Sequence, residues 1–416
     1  MSDRPLLSVE GLSTAFFTDK ETVHAISDVH LDVERGRTLG LVGESGSGKS
    51  VTARSLTGLV ESPGRILDGR IKYRHPETVD RFVEEYPGRV VRGEESGTGR
   101  TDETDAFVYD GPEDRYVDLA AAPDRALRSV RGDDIAMVFQ DPLSCLNPVY
   151  TVGNQVEELL GIHRGLSGRE RTETAVELLD AVGIPDPARR LREYPHEFSG
   201  GMRQRAVIAM GLACDPEVLV CDEPTTALDV TIQAQVIDLL VDLQESRDLA
   251  LLFITHDMGV IAQVADRVGV MYAGEVVERA PVEGLFADPA HPYTRELLAS
   301  IPGQSPDADR LPTIEGEVPT PTSEPTDCRF APRCPDAFDA CREVAPDHVA
   351  VGEDRTAACL LYPGDATRET AVGHHRERSA ARDGDGHERA GPTRDDRERV
   401  GETTAGVRDP SREGDE

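Results

Sequence analysis

The sequence predicts an α/β protein whose parallel sheet carries a phosphate site at its strand ends. Three observations predict it. Gly43-Glu44-Ser45-Gly46-Ser47-Gly48-Lys49-Ser50 fits G-x-x-x-x-G-K-[ST], a loop whose backbone N–H groups cradle phosphates, and the apolar run Thr38–Val42 leads into it. A second apolar run, Val218–Cys221, ends in the carboxylates Asp222 and Glu223. A third, Ala250–Ile254, ends at Thr255-His256-Asp257. In open parallel sheets ligands bind at the carboxyl ends of strands, so these three ends define one site.

The loop needs its glycines because the backbone must turn tightly and approach an anion without Cβ atoms in the way. Lys49 supplies a fixed positive charge for β- and γ-phosphates, and Ser50 a hydroxyl ligand for Mg²⁺. Residues 50–56 can open a helix whose N-terminus faces the phosphates. The chain has only three lysines, so a chance match of this motif is expected in roughly a few chains per thousand.

At 416 residues the chain has room for two or three domains. No signal peptide is visible, and no apolar run approaches the ~18 residues of a membrane helix, so a soluble chain able to dock on a membrane protein is expected. Net charge is −33, and 42 of the 45 basic residues are arginine. Residues 73–118 contribute −7 and residues 365–416 contribute −4, so acidity is spread over the whole chain. Such a surface is expected of a protein adapted to high salt, where self-repulsion is screened. An acidic protein of ordinary surroundings is the plainer alternative. Without a basic stripe, nucleic-acid binding is disfavoured.

Residues 6–42 read as a β-rich lead-in, with alternation at Ile26, Val29, Leu31 and Val33. Phe16 and Phe17 fall on the turn after the first strand, as core residues or, for one of them, as a stack for adenine. Residues 73–118, with Gly93, Gly97 and Gly99 among Glu94, Glu95, Asp102 and Glu103, read as an inserted, partly disordered surface loop. Ile135–Phe139 is a short strand ending at Gln140. Helical spacing follows at Val152, Val156, Leu159 and Leu160, then from Glu170 to Val182, stopping at Gly183-Ile184-Pro185. Phe198-Ser199-Gly200-Gly201-Met202-Arg203-Gln204 opens an apolar helix. Taken alone this is an ordinary capped helix start, though its free N–H groups could take a phosphate. Asp222 is placed to reach Mg²⁺, Glu223 to polarise an attacking water, and His256 to bond a γ-phosphate.

In this order and spacing the motifs of about residues 6–300 resemble an ATP-binding cassette (ABC) ATPase, with a RecA-like core, a β-rich lead-in and a helical subdomain. The resemblance implies that Gly43, Glu44, Ser45, Gly46, Ser47, Gly48, Lys49 and Ser50 hold ATP phosphates. It implies that Gln140, with Ser50 and Asp222, senses Mg²⁺ and water, and that Glu223 and His256 serve catalysis. Ser199, Gly200 and Gly201 match the signature motif, Asp229 the dimer-contact loop, and Phe16 the adenine-stacking aromatic. The signature departs from L-S-G-G-Q: Phe198 replaces Leu, and Gln appears only at Gln204. That variant, residues 141–148, and His291-Pro292-Tyr293-Thr294-Arg295 are similar to oligopeptide and dipeptide importers.

The same family's C-terminal extension matches at Cys328-Arg329-Phe330-Ala331-Pro332-Arg333-Cys334, giving a small Cys-rich extension over 286–363 after a cassette of 6–285. Cys328, Cys334, Cys341 and Cys359 have the spacing C-x5-C-x6-C-x17-C. Four thiolates in a cytosolic chain suit Zn²⁺ or an iron–sulfur cluster better than disulfides, and spacing alone does not decide. The resemblance favours [4Fe-4S]. Cys145, Cys214 and Cys221 read as inert, and the tail 364–416 as a disordered charged segment. The implied assembly is peripheral on the cytoplasmic face of the membrane. A second ABC ATPase subunit, expected to be a different chain, two permeases and an extracellular solute-binding protein complete it. Import of nickel or another small solute is the alternative. A DNA- or ribosome-acting cassette would need a second cassette, a coiled coil or a basic surface. A binding module without chemistry is opposed by Lys49, Glu223 and His256.

Overall fold

The computed structural model describes residues 4–93, 105–226, 228–301, 314–364 and 366–384. The chain opens with strands β1 (Leu7–Phe17), β2 (Thr22–Val33) and β3 (Thr38–Val42), and helix α1 (Lys49–Leu56) follows the phosphate loop. Next come β4 (Gly64–Tyr73), α2 (Pro76–Glu85), β5 (Val90–Arg92), β6 (Val108–Asp110), β7 (Arg115–Asp118), α3 (Asp124–Val130) and β8 (Ile135–Val138). A helical region holds α4 (Pro142–Cys145), α5 (Val152–His163), α6 (Gly168–Ala181), α7 (Pro187–Arg190) and α8 (Gly200–Leu212). The chain returns to the sheet through β9 (Val218–Asp222), α9 (Val230–Arg247), β10 (Ala250–Thr255), α10 (Met258–Val264) and β11 (Arg267–Tyr272). Its last described part holds β12 (Glu275–Pro281), α11 (Val282–Ala287), α12 (Pro292–Ala299), the strands β13 (His348–Gly352) and β14 (Arg355–Ala358), and α13 (Arg368–Gly384).

Two sheets result. The larger has the order β13-β14-β12-β11-β3-β10-β9-β8, parallel from β11 to β8 and antiparallel beyond. Its central strands β3, β9 and β10 are buried at every position, and mostly apolar, because both faces are covered. Val218, Val220, Leu252 and Ile254 pack toward the β-rich side, while Leu219, Cys221, Leu251 and Phe253 pack toward the helical side. The antiparallel hairpin β13–β14 joins the cassette's own sheet through β12, so the C-terminal extension is fused to the cassette edge.

The smaller sheet, ordered β2-β1-β4-β7-β6-β5, corrects the reading of residues 73–118 as a loop. Apart from 94–104, which lie outside the described residues, this insertion supplies α2 and three strands. An aromatic cluster orders it: Phe82, Tyr86 and Phe107 meet edge-to-face at 5.1–6.0 Å, and Tyr109 stacks on Tyr116 at 4.5 Å. Asp134 ties it to the core by accepting from Tyr73 Oη (3.2 Å) and Arg81 Nη2 (2.9 Å).

Three smaller differences follow from packing. Phe16 and Phe17 end β1, and the turn begins at Thr18, whose N–H donates to Glu21 O (3.1 Å). The second predicted helix is α6, starting two residues earlier and closing at Gly183 (φ 70°), whose N–H donates to Asp180 O (2.8 Å). Residues 368–384 form α13, where the sequence reading expected disorder from 364 onward. Ala371, Val372 and His375 are buried on one face of it; the tail beyond 384 lies outside the described residues.

Candidate phosphate and water-activation site

The phosphate loop joins β3 to α1 at the carboxyl edge of the parallel sheet. Glycine is favoured at all three of its glycine positions, Gly46 through its φ of +80°. A Cβ on Gly43 would stand 2.1 Å from Met271 O, and Gly48 has φ +103° with Ala25 O 2.7 Å from its Cβ position. Gly48 also caps α1 without any side-chain hydrogen bond, so the first helical N–H groups keep no side-chain partner there. Lys49 folds back: its Nζ donates to Gly43 O (2.8 Å) and Glu44 O (2.9 Å) and approaches Ser47 Oγ (3.4 Å). Burial lowers its pKa, opposed by the charges of Glu223, Asp222 and Glu44.

The adjoining strand ends bring the predicted polar residues to the same edge. Ser50 Oγ donates to Asp222 Oδ1 at 3.0 Å. Burial raises the Asp222 pKa, and neighbouring Glu223 raises it further. A buried carboxylate with raised pKa facing a hydroxyl is a donor set that a divalent cation would relieve, so these residues fit Mg²⁺. Glu223 begins the loop after β9 in a left-handed conformation (φ 48°), and its N–H donates to Ile254 O of β10 (2.9 Å). Its carboxylate accepts from Gln140 Nε2 (2.8 Å) and Thr226 Oγ1 (2.9 Å), with His256 Nδ1 at 3.3 Å from its other oxygen. Gln140, Glu223 and His256 thus meet around one carboxylate. Thr226 joins them, though no motif in the sequence marks it.

The signature residues lie elsewhere. Ser199 caps α8, its Oγ accepting from Met202 N (3.3 Å), and a Cβ on Gly201 would meet Ile232 Cγ2 of α9 at 2.5 Å. Asp229 caps α9 by accepting from Thr231 N and Ile232 N. These contacts run between α8 and α9 rather than to residues 43–50. Phe16 pairs with Val23 and Gly64 across the β-rich sheet, and its ring closes on the Gly64 backbone.

The four late cysteines carry free thiols. Burial raises the pKa of Cys328 and Cys334 and pushes Cys359 up to about 12, with the other cluster thiols adding to each rise. Buried sulfurs near enough to raise one another's pKa fit a site for a metal or cluster that would hold them as thiolates. Cys145 is likewise raised by burial, as are Cys214, to about 12, and Cys221, so all three remain thiols. Among the described residues no helix is long and apolar enough to cross a membrane.

A phosphate loop on a parallel sheet, with a β-rich sheet on one side and a helical region on the other, defines an ATP-binding cassette. The family model "ABC transporter" matches residues 26–92 and 112–226, and "Oligopeptide/dipeptide transporter, C-terminal region" matches 277–341. The chain is 43% identical over 366 residues to the oligopeptide transport ATP-binding protein AppD of Bacillus subtilis, covering 88% of this chain and 99% of AppD. It is 46% identical over 368 residues to a Brucella abortus protein provisionally named for peptide import and ATP binding, covering 87% and 98% of the two chains. In fold it is similar to the dimeric bacterial cassette MJ0796 (TM-score 0.51, 24% identity, 66% of this chain and 98% of that one). It is also similar to cbiO1 of Clostridium perfringens (TM-score 0.50, 22% identity, 69% and 92%). The chain belongs to the ATP-binding proteins of the ABC transporter family, which are ATPases.

Proposed function

We propose that this chain is the ATP-hydrolysing subunit that energises import of peptides through an ABC transporter. The observation that carries the reading is the meeting of Gln140, Glu223 and His256 beside Lys49, Ser50 and Asp222 at one sheet edge, on a chain whose residues 277–341 match the oligopeptide/dipeptide transporter region. The backbone of residues 43–50 and Lys49 bind the nucleotide phosphates, and Phe16 stacks on adenine. Ser50, Asp222 and Gln140 hold Mg²⁺, which when bound neutralises charge on the transferring phosphoryl group. Glu223, held by Gln140 and Thr226, takes a hydrogen bond from the attacking water and draws off its proton, while His256 bonds the γ-phosphate. Because Ser199–Gly201 do not reach residues 43–50 of their own chain, they complete the site of a second subunit, with Asp229 at the contact. Two different ATPase chains on two permeases, fed by an extracellular binding protein, make up the assembly, which lies on the cytoplasmic face of the membrane.

Cys328, Cys334, Cys341 and Cys359 hold a [4Fe-4S] cluster rather than zinc. The match of residues 277–341 to the oligopeptide/dipeptide transporter region, with sulfurs near enough to raise one another's pKa, supports one shared site.

The test is uptake of labelled di- and oligopeptides and of nickel by cells carrying the wild-type chain or Lys49→Ala. Peptide uptake lost with Lys49→Ala supports the reading. Loss of nickel uptake with peptide uptake intact would overturn the cargo.

A further inference from the structure

Two arginines between Cys328 and Cys334 tie that segment to the phosphate loop, one directly and one through a neighbouring turn. Arg333 forms a two-pronged pair with Glu44, the loop's second residue, through Nη1–Oε2 (2.8 Å) and Nη2–Oε1 (3.0 Å). Its side chain is only 6% exposed, and its remaining donors are spent on Tyr272 Oη (3.3 Å), Glu315 O (2.9 Å), Ile314 O (3.3 Å) and Gly316 O (3.2 Å). A planar fork held this way has one geometry, unlike a surface lysine pair. Glu44 is gripped at its backbone as well. Its N–H donates to Tyr293 Oη (2.9 Å), and its carbonyl accepts from Lys49 Nζ (2.9 Å). Tyr293 packs on Tyr272 (4.7 Å) and Phe330 (5.4 Å), so the hydroxyl too is fixed by the extension.

Arg329 acts one step removed. Its Nη1 donates to Ala273 O, 2.6 Å away, in the turn after β11. The next residue, Gly274, donates its N–H to Ser47 O of the phosphate loop (2.9 Å). Both arginines lie in a segment tied to the cysteine cluster itself: Cys328 N–H donates to Cys341 O (3.0 Å), and Arg333 precedes Cys334.

We propose that Arg333, acting through Glu44, is a positioning residue for the phosphate loop, so that nucleotide affinity depends on the order of the four-cysteine extension. The proposal rests on residues 43–50 being the nucleotide site. Ordering of the Cys328–Cys334 segment fixes the Arg333 fork, the fork fixes Glu44, and the N–H groups after Glu44 are presented to phosphate without reorganisation. The coupling is reciprocal: ATP on the loop holds the segment in place by the same factor.

The experiment measures MgATP affinity of the purified full chain by titration calorimetry for wild type, Arg333→Met, Glu44→Gln and the double variant, with a melting temperature for each. The single variants are expected to weaken binding about tenfold, and the double variant no more than either alone, because both remove one contact. Glu44→Gln keeps Arg333 and its carbonyl partners, so it reads the contact even if Arg333→Met fails to fold. Hydrogen exchange across residues 328–334 is expected to slow on adding MgATP in wild type and not in Glu44→Gln. A purely structural arginine would lower the melting temperature and leave both readouts unchanged. Glu44→Gln binding with wild-type affinity, or losses that multiply in the double variant, would overturn the proposal. A wild-type chain that binds no ATP would instead defeat the nucleotide reading on which it rests.

Discussion

Replacing Glu223 by glutamine isolates the proton-accepting charge from every contact that holds it. The carboxylate has one oxygen facing Gln140 Nε2 and Thr226 Oγ1, and the other facing His256 Nδ1. A glutamine can turn its oxygen toward the first pair and its NH₂ toward the histidine nitrogen, so the hydrogen bonds survive in a side chain of the same size. The left-handed backbone at φ 48° is no harder for Gln than for Glu. Folding and ATP binding should therefore be retained. What disappears is the base and the negative charge that polarises water. Removing one such group costs about 10²–10³ in rate, or ~3–4 kcal/mol of barrier. The assay is single-turnover phosphate release with MgATP, run beside an equilibrium ATP titration. A rate loss below about tenfold would refute the assignment of Glu223 as base. Loss of ATP binding in step with rate would show that the variant disturbs the loop instead.

Three further outcomes are expected. Ser199→Arg should impair turnover at a partner subunit's phosphate loop while leaving this chain's own ATP affinity intact; loss confined to its own loop would refute the two-subunit site. Anaerobically purified protein should be brown with about four irons per chain, both lost in Cys334→Ser; one zinc and no iron would overturn the cluster. His291, 1% exposed, accepts from Tyr293 N at the start of α12, and burial pushes its pKa down to about 3. Below about pH 6.5 the unfolded chain takes up a proton there that the folded chain refuses, so stability is full above that pH and falls by about 2 kcal/mol by pH 5. His291→Asn keeps a cap acceptor without the titration, so its denaturant midpoint should fall less between pH 7 and pH 5; parallel curves would refute the attribution.

What was legible in the sequence shares a physical cause. β3, β9 and β10 are covered on both faces, so hydrophobicity runs unbroken and the strand ends stand out where Asp222, Glu223 and Thr255 interrupt it. The loop glycines are demanded by backbone geometry within a few residues, again a local signal. Contacts that depend on distant chain segments left no such trace. Arg333 and Glu44 are 289 residues apart, and nothing near either marks the other. The insertion reads as a loop because its order rests on Phe82, Tyr86, Phe107, Tyr109 and Tyr116, scattered among acids that dominate composition. The helix α13 is hidden in the sequence for a sharper reason. His375 takes Asp347 N–H on Nδ1 (3.0 Å) and lies 3.0 Å from Tyr362 O on Nε2. A buried neutral imidazole can thus satisfy two backbone groups of the cysteine extension at once, and with Ala371 and Val372 it anchors a helix whose other residues are mostly polar. Hydropathy counts that histidine as polar; the fold uses it as core. A charged segment can therefore be ordered by a few tertiary bonds whose donors and acceptors are visible only once the partner is in place.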